Sequence, residues 1–572
     1  MRTLILIFIL LCGSAAAVMP YLDPAAHISP YSNLPYLYRE TVPVSNFLTF
    51  TEKKVLTSNT TLNLFIVPLS FQDQSLTLSN NQLQQFFFDA AVSVSNYFYD
   101  NSVGSLHVSG LILPPYTLAS NKAFYADSAQ NYINLPAEAA VYLSNYIVSN
   151  VTTNAGVFAE RFDKNNDRFI DAVVFMHAGT GREVSGASNE ILSHCYTFFK
   201  YQAVYIYDTL YLGRYIIVPE IVNSNASAWS NQTTIGPVCH ELGSLLGLPD
   251  LYHTVTGQPQ LGSAVLMDRG CYNYGTNDTY SGTNPAYGYR PSPVNGFYRS
   301  LLGWQKPRKL DSATAGSTVT VYHYFATNSI SNLYQLKGYH AQQYWLAENH
   351  NRQSWDSSLN GRGLLIWHVN TAYHTSGTLL LKHDFNNGLH ALALEPADNF
   401  SSSNLTVTPY SLVPANFWAD NSAGFGSATL PNTGYDHAPQ SKLAVRGISA
   451  AGSSMTFTFT NLDFFHTTTL AVPNPFIPGL HNELTVSVNT AGVKPAGKRC
   501  KVIIAAYSGR PVKIINKIDL YTAASANKGH LIFSWDGTDK EGKPVRPGLY
   551  YYKVIIGSSR ELAGRFTVEY GF

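Results

Sequence analysis

The chain is poor in charge. Only 13% of its 572 residues are Asp, Glu, Lys or Arg, and 37 basic side chains nearly balance 36 acidic ones. A net charge of +1 lacks the basic surplus that neutralises phosphates, so nucleic acid is excluded as a partner, as is electrostatic attachment to acidic membranes. Cysteine is scarce too, five in all, and at no zinc-finger spacing. Past the N-terminus no run reaches the ~20 apolar residues that span a bilayer. Heptads, solenoid repeats and low-complexity tails are also absent.

What is present is bulk and aromatic content. Hydrophobic residues make up 45% of the chain, with 38 Tyr and 30 Phe, which suits large β-rich cores. The length is too great for one core and implies about three domains. At the N-terminus, Arg2 precedes the apolar run "LILIFILLCG" and the small residues "SAAAV". A charged start, a short apolar core and an A-x-A site make a secretory signal peptide, with cleavage after Ala17. The mature protein is therefore expected outside the cell, secreted or surface-associated. Cys195, Cys239, Cys271 and Cys500 remain after cleavage, and an oxidising compartment would allow one disulfide among them.

Residues 55–305 alternate strand and helix patterns, which predicts an α/β domain. "TLNLFIVPLSFQDQ" and "RFIDAVVFMHAG" read as strands. "QLQQFFFDAAVSVSNYFYDNSVG" reads as one helix ending at Gly104. "TTIGPVCHELGSLLG" reads as a helix with Val238, Leu242, Leu245 and Leu246 on its apolar stripe and Gly247 as its stop. Short alternating strands such as "STVTVYHYF" and "GLLIWHVN" make 306–465 a β-sandwich region, after an N-terminal extension at 18–54 and before an Ig-like sandwich at 466–572. The fold class is α+β and multidomain.

On the helix, "HELGS" places His240 and Glu241 where a zinc peptidase has its first ligand and its general base. A second histidine four residues on would share the face of the first. That position holds Ser244. Gly247 lets the chain turn, so Asp250 can return to the metal as a carboxylate ligand. Cys239 adjoins His240 and points about 100° away around the helix, so it cannot take the missing place. His253, His194 and Glu348 are the remaining candidates.

The full run "HELGSLLGLPDLY" resembles the signature of the immune inhibitor A family of secreted metallopeptidases. "LFIVPLSFQD", "SVSNYFYDNSVGSLHVSG", "DKNNDRFIDAVVFMHAGTGREVSG", "YIIVPEI" and "PSPVNGFYRSLLGWQKP" resemble further family elements in order, as do "YWLAENHNR", "GRGLLIWHV" and "TLPNT". The resemblance covers most of residues 60–460. It implies a zincin-like domain with His240 and Asp250 as zinc ligands, Ser244 at the degenerate ligand position, Glu241 as base and Met267 of "AVLMDRG" beneath the site. Zinc would be the catalytic cofactor and proteins the substrates. A hydroxyl is a poor zinc ligand, so two functions stand side by side: a weakened zinc endopeptidase, or a pseudopeptidase that binds peptides or a partner. A surface-binding protein in which the β domains matter most is a third.

"DKNNDRFID" offers oxygen ligands at Asp163, Asn165, Asp167 and Asp171, with the Phe169 carbonyl between, an alternation that wraps calcium. Arg168 stands where an EF-hand has glycine and Val174 where it has glutamate. The C-terminal segments "VPNPF", "AYSGRPVK" and "SWDGTDKEGKPVRPGLYYYKV" resemble the Ig-like domain of flagellar hook-capping proteins. That resemblance implies either plain stabilisation or retention at the cell surface.

Overall fold

The computed structural model describes residues 15–17 and most of 60–570. The rest of the leader, the extension at 18–54 and segments including 165–167, 223–233, 253–260, 275–286, 372–390, 398–411, 427–440, 490–499 and 516–529 lie outside the described residues. Two compact units are present: Met1–Leu310 with Ser317–Gln440 and Ala444–Phe459, and Asp311–Gly316 with Ser441–Leu443 and Thr460–Phe572. Among the described residues no helix is long and apolar enough to cross a membrane.

The first unit is organised on a seven-stranded sheet. Its strands are β1 (Ala15–Ala17), β2 (Thr60–Ser70), β3 (Leu106–Ile112), β4 (Tyr116–Thr117), β5 (Val173–Thr180), β6 (His194–Thr197) and, after a separate ribbon of β7 (Val204–Tyr207) and β8 (Leu210–Leu212), β9 (Arg214–Ile221). The order is β1-β6-β9-β5-β2-β3, with β4 also on β2. β2, β3, β5 and β9 pair in parallel, whereas β6 runs antiparallel to β9. Strand periodicity separates two cores. Leu62, Leu64 and Ile66 of β2 face one side with Val174, Ile216 and Cys195, while Phe65, Val67 and Leu69 face the other with Val173 and Tyr215. Both faces are covered, as parallel strands require.

Helices supply the covers. On the second face lies α2 (Leu135–Asn150), through Leu135, Ala139, Leu143 and Ile147. On the first lie α1 (Val94–Asn101) and α3 (Ile235–Leu245). The single helix expected before Gly104 is in fact broken. A short helix, Asn80–Gln84, passes into a π turn, and α1 restarts where Ser93 accepts a hydrogen bond from Asn96 N at 3.2 Å. Serine competes for backbone donors locally and so starts a new helix where apolar periodicity alone continues the old one.

The closing helix α4 (Gly296–Leu301) leads into β-structure in the same unit. A five-stranded sheet contains β10 (Arg308–Leu310), β12 (Leu333–Leu336), β13 (Gln343–His350), β14 (Gly363–Asn370) and β15 (Leu392–Leu394). A four-stranded one contains β11 (Thr318–Tyr322), β16 (Phe425–Gly426), β17 (Leu443–Arg446) and β18 (Ser454–Asn461). Phe297 and Trp304 share one apolar core with Leu346, Leu365 and Trp367.

A buried ionic network joins α4 to β13. The Nη2 of Arg299 donates to Glu348 Oε2 at 2.5 Å, and Oε1 of Glu348 accepts from Trp367 Nε1 at 2.7 Å and Gly296 N at 3.1 Å. His350 stands 3.4 Å from Glu348 and 2.7 Å from Asp356, which also takes His323 at 2.5 Å. Burial alone would raise the Glu348 carboxyl, but Arg299 and His350 hold it well below the carboxylate range. Burial would likewise depress His350, yet Asp356 and Glu348 hold it up at about 9.

The second unit has its own core. A three-stranded sheet contains β19 (Thr469–Val472), β20 (Leu484–Asn489) and β23 (His530–Trp535). A four-stranded one contains β21 (Cys500–Ala506), β22 (Pro511–Ile515), β24 (Gly548–Ile556) and β25 (Arg560–Val568). Between them Trp535 is buried with Phe476, Leu484, Ile504, Tyr552 and Phe566.

Two outcomes are expected from the network. Glu348→Gln leaves Arg299 buried without its counter-charge and should cost about 3–5 kcal/mol in denaturant unfolding. Because His350 is raised in the folded state, its stabilisation is complete below its unfolded pKa near 6.5 and is lost as pH climbs through about 9. Wild type should therefore lose stability between pH 6.5 and 9 more steeply than His350→Gln. Parallel curves for the two proteins would contradict this.

Candidate active site

Helix α3 is buried along its whole length. Glycine makes this possible at one critical point. A Cβ on Gly236 would stand 1.7 Å from the Cys271 carbonyl oxygen, so only hydrogen fits there. At Gly243 a Cβ would stand 2.7 Å from Met267 Sδ, and Met267 is fully buried. The methionine turn thus lies directly against the helix.

The helix ends where Gly247 adopts φ +95°. Gly247 N donates to Ser244 O at 3.0 Å and Leu248 N to Gly243 O at 2.9 Å, a reversal that favours glycine. The returning chain is pinned twice. Tyr298 Oη of α4 donates to Pro249 O at 2.6 Å, and Leu251 N to Met267 O at 2.7 Å. Asp250 is thereby delivered to His240, with Oδ1 3.2 Å from Nε2.

His240 has no exposed surface, and its Nδ1 donates to the Leu266 carbonyl at 3.0 Å. A carbonyl on one ring nitrogen fixes the tautomer and aims the other lone pair, the arrangement found in metal-binding histidines. Both neighbours of this ring are acceptors, and a neutral imidazole has one N–H. The contact from Nε2 to Oδ1 therefore needs a positive partner, a proton or a metal ion. Two tetrahedral zinc ligands would lie about 3.4 Å apart, close to the 3.2 Å observed. His240 and Asp250 fit zinc on that ground. Glu241, also fully buried, is the next residue on the helix.

Ser244 does not complete the set. It is 6% exposed and its Oγ is buried without a hydrogen-bond partner. Among the described residues no three His, Cys, Asp or Glu side chains gather as a metal-binding group. Two candidates for the missing ligand are placed elsewhere. The strand alternation of β6 turns His194 to the face opposite Cys195, where it packs on Tyr215 at 6.0 Å and bonds Leu192 O through Nδ1 at 2.8 Å. Glu348 is committed to Arg299. His253 lies outside the described residues.

Two features went unread in the sequence. Asp268 organises the methionine turn, accepting from Leu261 N, Gly262 N and Arg269 N at 2.7–2.8 Å; an aspartate opening a short helical turn was the available signal. Arg214, first residue of β9, donates through Nη2 to Ser244 O at 3.1 Å and stands 3.9 Å from Cys195 Sγ. Nothing local marks Arg214, because strand pairing brings it there. The expected disulfide is also corrected: Cys195, Cys239 and Cys271 are free and buried. Burial pushes the Cys195 thiol up to about 12, with Arg214 opposing and Glu241 and Asp250 adding to the rise.

Residues 67–305 match the family model described as immune inhibitor A peptidase M6, catalytic domain. Over those residues the chain is similar to the immune inhibitor A peptidases. Comparison with curated proteins finds no match. Among solved structures, dimeric latent PorU from Porphyromonas gingivalis is 20% identical over 18% of this chain and 9% of that one, with a TM-score of 0.15. PorZ, an essential bacterial surface component of the type-IX secretion system of the same organism, is 14% identical over 40% of this chain and 37% of that one (TM-score 0.13). Wild-type OgpA from Akkermansia muciniphila is 12% identical over 90% and 96% (TM-score 0.22). The chain spans about a tenth and under two-fifths of the first two structures. Scores this low carry no inference about this chain.

At the described ends of the loop expected to wrap calcium, two carboxylates accept backbone hydrogen bonds. Asp163 Oδ2 accepts from Arg168 N at 3.1 Å, and Asp171 Oδ2 from Lys164 N at 2.8 Å. Arg168 adopts φ +73°, the region that glycine would have taken without strain. Phe169 bridges to Tyr211 through the backbone, while Asn165 and Asp167 lie outside the described residues.

The tight seat of α3 gives a direct expectation. Gly236→Ala should destabilise the first unit by about 3 kcal/mol or more through overpacking against backbone. A denaturant midpoint equal to wild type would mean that the helix does not sit this close.

Proposed function

We propose that the chain is an exported, zinc-dependent endopeptidase that hydrolyses peptide bonds of extracellular proteins, with a metal site weakened by Ser244. The observation that carries this reading is His240, whose Nδ1 is spent on a carbonyl while Nε2 faces Asp250 Oδ1 at 3.2 Å. That arrangement demands a cation or a shared proton. His240 and Asp250 would hold zinc, which supplies Lewis-acid activation of water and of the scissile carbonyl. Glu241 accepts the proton of the attacking water and passes it to the leaving amine. Met267 fixes the floor under Gly243, and the Leu266 carbonyl keeps the His240 ring oriented. Export rests on the leader sequence, and the C-terminal Ig-like region would serve surface retention. A structural calcium ion at Asp163, Asn165, Asp167, Phe169 and Asp171 belongs to the same proposal.

Ser244 favours a second reading, a pseudopeptidase that keeps the cleft to bind peptides. Elemental analysis of the purified mature chain separates the two. The enzyme reading expects zinc after incubation and slow cleavage of a denatured protein. Ser244→His should raise both zinc retention and rate, and adding Glu241→Ala should abolish cleavage while zinc stays bound. A folded, metal-free and inert Ser244→His variant would leave only the binder. For calcium, chelation should lower the melting temperature, and Asp167→Ala should remove most of that shift; a melting curve indifferent to chelator sinks that part.

A further inference from the structure

Arg214 sets a permanent positive charge beside the degenerate ligand position. Its Nη2 donates to the Ser244 carbonyl at 3.1 Å, at the C-terminal end of α3 where a cation is favoured by the helix dipole. The same nitrogen lies 3.9 Å from Cys195 Sγ. The guanidinium thus joins β6 to the last turn of α3. Ser244, next to this charge, keeps its Oγ buried and unengaged. Loss of the histidine therefore coincides with a built-in cation on the same turn of the helix.

We propose that Arg214 is a second determinant of metal occupancy: its guanidinium fixes a positive charge at the degenerate ligand residue and so opposes zinc there. This rests on the reading of the pocket as a weakened zinc site. It adds that Ser244→His alone restores zinc incompletely. The missing imidazole and the extra charge act separately, so removing Arg214 helps with either residue at 244.

The test uses zinc alone as probe, titrated against a competing chelator dye on the full mature chain. Arg214→Gln should tighten zinc binding on the order of tenfold in both the wild-type and Ser244→His backgrounds, because a unit charge is removed from a low-dielectric pocket. Arg214→Met, which keeps the apolar stem, should act like Gln. Arg214→Lys, which keeps the charge, should stay near wild type. If Arg214 served only to hold the helix end, Gln and Met would weaken zinc binding instead, and that sign overturns the proposal. Equal affinity in Arg214→Gln, Arg214→Met and wild type overturns it as well. Should Gln fail to fold, the Met and Lys pair still separates charge from shape. Tight zinc without proteolysis in Arg214→Gln with Ser244→His would support the role of Arg214 and sink the endopeptidase reading.

Discussion

The first unit depends on Arg299 and Glu348 being buried together. Neither has exposed surface, and an isolated buried charge costs several kcal/mol. Each is satisfied only when α4, β13 and β14 are in place, since Glu348 also takes Gly296 N and Trp367 Nε1. Gly296 permits the approach: a Cβ there would come 2.5 Å from Leu333 and 3.0 Å from Glu348. The same helix holds the active-site turn through Tyr298 and Pro249. An ion pair in the β-rich part is thus one bond network away from Asp250. Such pairs add little net stability over an apolar core, but they penalise every arrangement that separates the partners.

From that anchoring follows the precision of the candidate site. Asp250 reaches His240 because three separate constraints agree: the left-handed Gly247, the Tyr298 bond to Pro249, and the Leu251 bond to Met267. Each acts on a loop only a few residues long, so little entropy remains to be lost when a ligand binds. The His240 ring is fixed from behind by Leu266 and faced by Tyr252 at 6.3 Å.

Patterns local to one element were legible in the sequence. The strands around Phe65 and Val174, the helix carrying His240 and its stop at Gly247 follow from periodicity and from glycine. The break before α1 escaped because apolar spacing runs through it while a single serine, Ser93, starts a new helix beyond it. What sequence could not give is which charges meet. Glu348 looked available to a metal because its partner Arg299 is 49 residues away in the chain. Arg214 looked like an ordinary strand end, and reaches Ser244 only because β9 pairs with β6 beside α3. His194, left open as a candidate, is turned away for a simpler reason: in a strand, a shift of one residue reverses the face.

The pocket also explains why losing one histidine need not collapse it. Glu241 and Asp250 are both buried, and an ionised carboxylate in a low-dielectric site needs positive charge nearby unless it takes up a proton. In a zinc site the ion provides it. Here Cys195 adds nothing negative at neutral pH, since its thiol is pushed up to about 12, and the Arg214 guanidinium stands on the Ser244 carbonyl. Arginine suits this role because its charge is permanent and its planar donors can cap a helix end while facing a thiol. The Ser244 carbonyl thus takes both the fixed charge of Arg214 and the Gly247 N–H, so the turn that delivers Asp250 starts from the atom that the guanidinium holds.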